Sequence, residues 1–136
     1  MDRLFLDANV LFSAAYREDS ALHRLWQLPD VELISSAYAR EEAERNLEAA
    51  QRARLAMLMT HVRIVADAPP RGLPAGVALR LKDRPILAAA IAAGATHLVT
   101  GDRRDFGAYF GETIEGVLIL PPRDYLGPGT RPLSKP

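Results

Sequence analysis

The chain has 136 residues, 49% of them apolar, enough for one domain with a buried core. Lys+Arg and Asp+Glu both number 17, which excludes nonspecific coating of nucleic acid through a large positive excess; any contact with a polyanion must be local. No cysteine is present, so disulfides, zinc–thiolate sites and thiol nucleophiles are excluded as well.

The chain opens with "RLFLD", a short apolar run ended by Asp7-Ala8-Asn9, which reads as a buried strand. Asp7 interrupts any signal-peptide core, and no apolar stretch approaches the roughly 20 residues of a membrane span. The expected location is the cytoplasm, with no membrane contact. "NVLFSAAY" reads as a helix, and "SALHRLWQL" as another opened by Ser20. After Pro29-Asp30 comes a second strand, "VELIS", then one long helix from about Ala37 to Met59. "VRIVA" is a candidate third strand, and "DAPPRGLPAG" at 67–76 is a loop.

In "KDRPILAAAIAAG", Asp83 suits a helix N-cap, Pro85 the first turn and Gly94 the stop. Ile86 to Ala93 is apolar on all sides, so that helix should be buried. "THLVTGD" and "EGVLIL" are the last strands. Residues 1–126 read as a single domain, and 127–136 as a Pro-rich tail.

Strands alternating with helices indicate an α/β domain with a mostly parallel central sheet of four to five strands. Runs such as "RLFL", "HLV" and "VLIL" suit strands buried on both faces. Ligands of such folds bind outside the carboxyl ends of the strands. Asp7 and Asp102 stand there, and Asp83 stands at a helix start.

Each acid has a local use on its own, in an Asx-turn or a helix cap. Several aimed at one edge are harder to explain that way. Two like charges about 4 Å apart repel by roughly 1 kcal/mol in bulk water and about 4 kcal/mol at an effective dielectric near 20. A cation between them removes that cost. The helix at 37–59 supplies a fourth acid, chosen by its periodicity. With Glu42 as origin and about 100° per residue, Ala43, Leu47, Ala50, Ala53, Met57 and Leu58 share one apolar arc. Glu42 lies at its rim, whereas Glu41, Glu44 and Glu48 lie outside it. All the candidate ligands are hard oxygen donors, which suits Mg²⁺ or Mn²⁺ rather than zinc. Asp7 and Asp102 are expected to ligate one ion directly. Asp83 and Glu42 then act through water, hold a second ion or orient the nucleophile.

The blocks "FLDANVLFSA", "SSAYAREEAERNL", "KDRPILAAAIAAGATHLVTGDRRDF" and "GVLILPPRDYL", in that order and spacing, resemble those of the PIN domain family. The resemblance covers nearly the whole chain. It implies a three-layer α/β/α sandwich and a divalent-metal-dependent endoribonuclease, a hydrolase that cleaves single-stranded or loop RNA and leaves a 5′-phosphate. It also implies a toxin of a toxin–antitoxin pair, with a cognate antitoxin as partner and a homodimer as an oligomeric option, the long helix offering an interface. Carried over by position, the family's acids fall on Asp7, Glu42, Asp83 and Asp102. Asp105 matches a further acid that some members use, and Asn9 and Thr100 match polar neighbours of the site that would meet substrate. An acidic pocket repels a polyanion, so Lys82, Arg84, Arg103 and Arg104 are candidate phosphate contacts, Arg103 first. Trp26, Phe106, Tyr109 and His97 read as packing residues.

Two rivals remain. A phosphatase using Asp7 as nucleophile would want an acid two residues later, where Asn9 stands. A noncatalytic RNA- or protein-binding module on the same scaffold should have lost one or more of the four acids.

Overall fold

A computed structural model describes residues 1–70 and 73–127; Arg71 and Gly72 of the expected loop, and all of the expected tail beyond Gly127, lie outside the described residues. The strands are β1 (Asp2–Leu6), β2 (Val31–Ser36), β3 (Arg63–Val65), β4 (His97–Val99), β5 (Thr113–Ile114) and β6 (Val117–Leu120). They form one sheet in the order β3-β2-β1-β4-β6-β5, parallel throughout except for β5 against β6.

The central strands are unbroken apolar runs because both of their faces are covered. Leu4, Phe5, Leu6, Ile34, Leu98, Val99 and Ile119 are all buried. Leu4 sits opposite Leu33 on one side and His97 on the other. At the other end of the sheet, Glu32 bridges Arg3 and Arg63 across three strands at 3.0 and 2.7 Å. The two guanidiniums, Arg63 foremost, hold the Glu32 carboxyl down at about 2.

Helix α1 (Ala8–Tyr16) and a 3₁₀ segment (Ala21–Gln27) connect β1 to β2; α2 (Ala37–Glu44) and α3 (Ala49–Met59) connect β2 to β3. Helix α4 (Arg84–Ala92) leads back to β4, and α5 (Arg103–Phe106) and α6 (Pro122–Leu126) follow β4 and β6. The chain therefore steps outward from β1 through β2 and β3, returns, and steps the other way from β4 to β6. Right-handed crossovers in opposite directions place helices on both faces, the three-layer arrangement. The reversal falls between β1 and β4, where such sheets open a crevice beyond the strand ends. Asp7 and Asp102 flank that point. Ladder bonds run past the strands to hold it: Asp7 N–H donates to the Val99 carbonyl at 3.1 Å, and Thr100 N–H to that of Leu120 at 3.0 Å. Among the described residues no helix is long and apolar enough to cross a membrane.

Three local expectations change. The helix expected over 37–59 is two helices broken at 45–48. Glu48 takes an extended conformation (ψ 172°) as N-cap of α3, and Gln51 reaches back to accept from its N–H at 2.8 Å. The phase of the apolar face resets there. Helix α3 buries Leu55 and Met59, while Ala50, Ala53 and Met57, placed in the arc that assumed one helix, are exposed. The segment opened by Ser20 winds as a 3₁₀ helix, with the Ser20 hydroxyl accepting from Leu22 N–H at 3.2 Å. The sixth strand, β5, pairs through a tight turn in which Glu115 and Gly116 both have positive φ, 49° and 85°.

Candidate functional site

Four carboxylates from four separate elements line one cavity of about 340 Å³: Asp7 after β1, Glu42 on α2, Asp83 at the start of α4 and Asp102 at the start of α5. Asn9, Asn46 and Lys82 add polar groups, and Phe12 and Ile86 form apolar wall.

Asp7 is only 3% exposed, yet its carboxylate is fully engaged. Oδ1 accepts from Ala8 N–H at 2.6 Å; Oδ2 accepts from the Thr100 hydroxyl at 2.8 Å and from Asn9 Nδ2 at 3.0 Å. Burial pushes the Asp7 carboxyl above its ordinary range, against the pull of the Thr100 and Ala8 bonds. The Asn9 amide oxygen accepts from Gly101 N–H at 2.8 Å, and the Thr100 oxygen from Asp102 N–H at 3.1 Å. The two strand ends are stitched together through side chains. Thr100 is fully buried, with its hydroxyl spent on Asp7 and Asp102. Both Thr100 and Asn9 orient the Asp7 carboxylate, and Asn9 also lines the cavity.

A fifth acid, Asp105, joins two of the four. Asp83, Asp102 and Asp105 each present an oxygen within 4.8 Å of the others, a separation that one ion with bonds of about 2.0–2.6 Å can span. Asp7 and Glu42 line the same cavity but fall outside that group. Asp83 holds the N-cap position of α4 without making a cap bond, so its carboxylate is free to turn inward. It is 4% exposed, and among the described residues its buried Oδ2 has no hydrogen-bond donor, with the Asp105 carboxyl close by. A buried, unpaired carboxylate oxygen is costly unless a cation meets it. Burial, reinforced by the neighbouring Asp105 carboxyl, pushes Asp83 up to about 7. The contact with Asp83, together with Arg80, holds Asp105 well below the usual carboxylate range.

A pH dependence follows. An acid whose folded-state pKa is raised keeps its proton in the fold between the ordinary value, near 4, and about 7, so it lowers stability as pH rises through that window. In metal-free buffer the melting temperature is expected to rise on going from pH 8 to pH 5, and Asp83→Asn should flatten that slope. Melting curves across pH in chelator check it. Divalent metal should reverse the trend, because a bound cation favours the deprotonated carboxylates.

Lys82 occupies the middle of the acids. Its Nζ lies 3.0 Å from Asp83, 3.4 Å from Asp105 and 3.8 Å from Asp102. Arg80 adds a second cation, 3.0 Å from Asp105. Burial opposes the Lys82 charge, but the acids, Asp83 first, outweigh it and raise the ammonium above its ordinary range. Lys82 is thus a counter-ion to the acids in this structure. Lys82→Met should therefore lower the melting temperature in chelator yet tighten divalent-metal binding by about tenfold. That is a modest share of the roughly 4 kcal/mol between unit charges at 4 Å and effective dielectric 20. Calorimetric Mn²⁺ titration of both proteins, beside melting curves, reads both effects.

The remaining candidates separate. Glu42 carries an ion pair to Arg45 at 3.4 Å; Glu41 is exposed, Glu44 pairs with Arg40 at 3.0 Å, and Glu48 caps α3. Arg103 and Arg104 are exposed on α5 and Arg84 is half-buried, and none has a side-chain hydrogen bond or ion pair among the described residues. Phe106 is buried, Trp26 Nε1 donates to the Leu58 carbonyl at 3.0 Å, and His97 packs edge-on to Tyr125. Sequence reasoning missed Arg80, which has no spacing signal. It also missed Asn46, in the turn that follows α2.

A sequence-family model described as a PIN domain matches residues 3–104. Among solved structures, the chain resembles VapBC2 from Rickettsia felis, crystallised bound to a DNA fragment from its promoter. The TM-score is 0.65 at 16% identity, over 86% of this chain and 96% of that one, a likeness of fold. No curated protein sequence matches the chain.

Proposed function

Since the chain belongs to the PIN domain family, we propose that its acidic cavity is the active site of a divalent-metal-dependent endoribonuclease. The observation that carries this reading is the convergence of four carboxylates in one cavity, where among the described residues a buried Asp83 oxygen has no hydrogen-bond donor. The donors fit Mg²⁺ or Mn²⁺, being oxygens only, with no cysteine in the chain to favour a softer ion. Asp83, Asp102 and Asp105 would hold the cation; Asp83 and Asp102 line the cavity together with Asp7 and Glu42, and Asp105 adjoins it. Such a cation supplies a lowered pKa for water and screening of charge on a phosphodiester.

The rest of the chemistry belongs to the chain. Asn9 and Thr100 hold Asp7 Oδ2 while the Ala8 N–H holds Oδ1, so that carboxylate needs little reorganisation when charge develops beside it. Glu42, held by a partly exposed ion pair to Arg45 and facing the Tyr38 hydroxyl, suits orienting the attacking water or accepting its proton. Lys82 leaves the acids when a divalent ion enters. Its ammonium, on a flexible stem at the cavity lip, is then available to a substrate phosphate.

The substrate is RNA, the partner a cognate antitoxin and the setting the cytoplasm. Support comes from the family and from the fold shared with VapBC2. The purified protein incubated with single-stranded RNA should give 5′-phosphorylated fragments in Mg²⁺ or Mn²⁺ and none in chelator. Intact RNA under every metal condition would remove the enzymatic reading and leave a binding module.

A further inference from the structure

A second cavity, of about 580 Å³, opens at the same edge of the sheet, walled in part by Gly101, Arg103 and Arg123. That volume lies within the range of small-ligand sites, about 300–1,000 Å³. Only one residue separates the two cavities along the chain: Gly101 and Arg103 line this one, and Asp102 between them lines the acidic one. Their chemistry is opposite. The first collects four carboxylates; the second presents two guanidiniums, Arg103 and Arg123, against one carboxylate, Asp124. Both arginines are exposed, and neither makes a side-chain hydrogen bond or ion pair among the described residues. Arg3, Arg17, Arg40, Arg63 and Arg80, by contrast, are each held by an acid within 3.0 Å. Idle guanidiniums beside an acid-lined cavity are suited to a polyanion that must cross it. The lining also includes Leu22 and the half-buried Phe110, apolar surface of the kind a base packs against.

We propose that this cavity is a nucleotide subsite: Arg103 and Arg123 grip the phosphate next to the scissile one, and Phe110 receives the base of that nucleotide. Arg123 then binds substrate from α6, an element that contributes nothing to the acidic cavity. This rests on the nuclease reading above and extends it to the binding of single-stranded RNA. It also accounts for recognition by a chain of zero formal net charge: the positive potential is concentrated in one pocket beside the acids.

The test is the salt dependence of binding of a labelled single-stranded oligoribonucleotide, measured in an Asp102→Asn background so that it is not cut. Adding Arg123→Ala should weaken binding and reduce the slope of log affinity against log salt by about 0.7–1, the loss of one phosphate contact. Adding Arg17→Ala, an exposed arginine paired to Asp19, should leave the slope unchanged. In the otherwise wild-type enzyme, Arg123→Ala should raise KM several-fold with kcat preserved. Equal slopes and affinities with and without Arg123→Ala, in a protein whose wild type cleaves the same RNA, would overturn the subsite alone. Absence of cleavage by the wild type in Mg²⁺ and Mn²⁺ overturns the nuclease reading and the subsite with it.

Discussion

Replacing Asp102 by Asn is expected to lower metal-dependent RNA cleavage by about 10²–10³-fold while the protein stays folded, by analogy with loss of one preorganised electrostatic group from an active site. The structure explains why the two effects separate. Asp102 Oδ1 caps α5 by accepting from Asp105 N–H at 3.0 Å, and an asparagine oxygen does the same. Oδ2 faces Lys82 at 3.8 Å, and Asp102 belongs to the close acidic group, so the charge lost is one placed to meet a cation. A melting temperature within a few degrees of wild type, beside lost cleavage, is the expected pair of readings. Wild-type rates in Asp102→Asn would take this carboxylate out of the mechanism. Asp7 does not offer so clean a comparison. Its oxygens face three donors, and an Asn amide group would turn an N–H toward at least one of them. Asp7→Asn should cost about 1–3 kcal/mol of stability as well as activity.

The second expected result is a contrast between neighbours. Glu42→Gln should lower kcat by about 10–100-fold, the range typical of groups that support metal ligands, whereas Glu41→Gln should leave it unchanged. Both changes keep size and helix propensity, so stability differences should stay within about 0.5 kcal/mol. Glu42 lines the acidic cavity and Glu41 is exposed to solvent one residue earlier. Single-turnover rates on an RNA oligonucleotide measure the effect. Loss of activity in Glu41→Gln with Glu42→Gln unaffected would mean that α2 presents a different face to substrate.

The parts of this site that depend on chain direction were legible in the residues. An apolar run stopped by Asp must place a carboxylate at the strand's end, and a parallel sheet gathers such ends along one edge. Asp7 and Asp102 follow from that alone. The choice of Glu42 came from a helix drawn too long. Its argument survives only within α2, where Ala39 and Ala43 are buried and Glu42 adjoins them. Beyond the break the phase was wrong, because the Glu48–Gln51 cap outweighed the helix-forming composition around it. Asp83 was readable as an N-cap by position, but not that its side chain would decline the cap bond and remain unpaired.

Lys82 and Arg80 were beyond reach for another reason. Where long cationic side chains come to rest depends on the competition among Asp83, Asp102 and Asp105, which no local pattern encodes. The nearness of Asp105 to Asp83 is likewise a product of how α4 and α5 meet.

The central claim is that these carboxylates converge because a divalent cation belongs among them, and calorimetric titration of the metal-free protein with Mn²⁺ tests it most directly. The account predicts saturable binding in the millimolar range or tighter, proton release that grows as pH falls toward 7, and loss of the signal in Asp102→Asn. A wild-type protein that takes up no Mn²⁺ or Mg²⁺ at millimolar concentration, with Lys82 still seated among the acids, would contradict it.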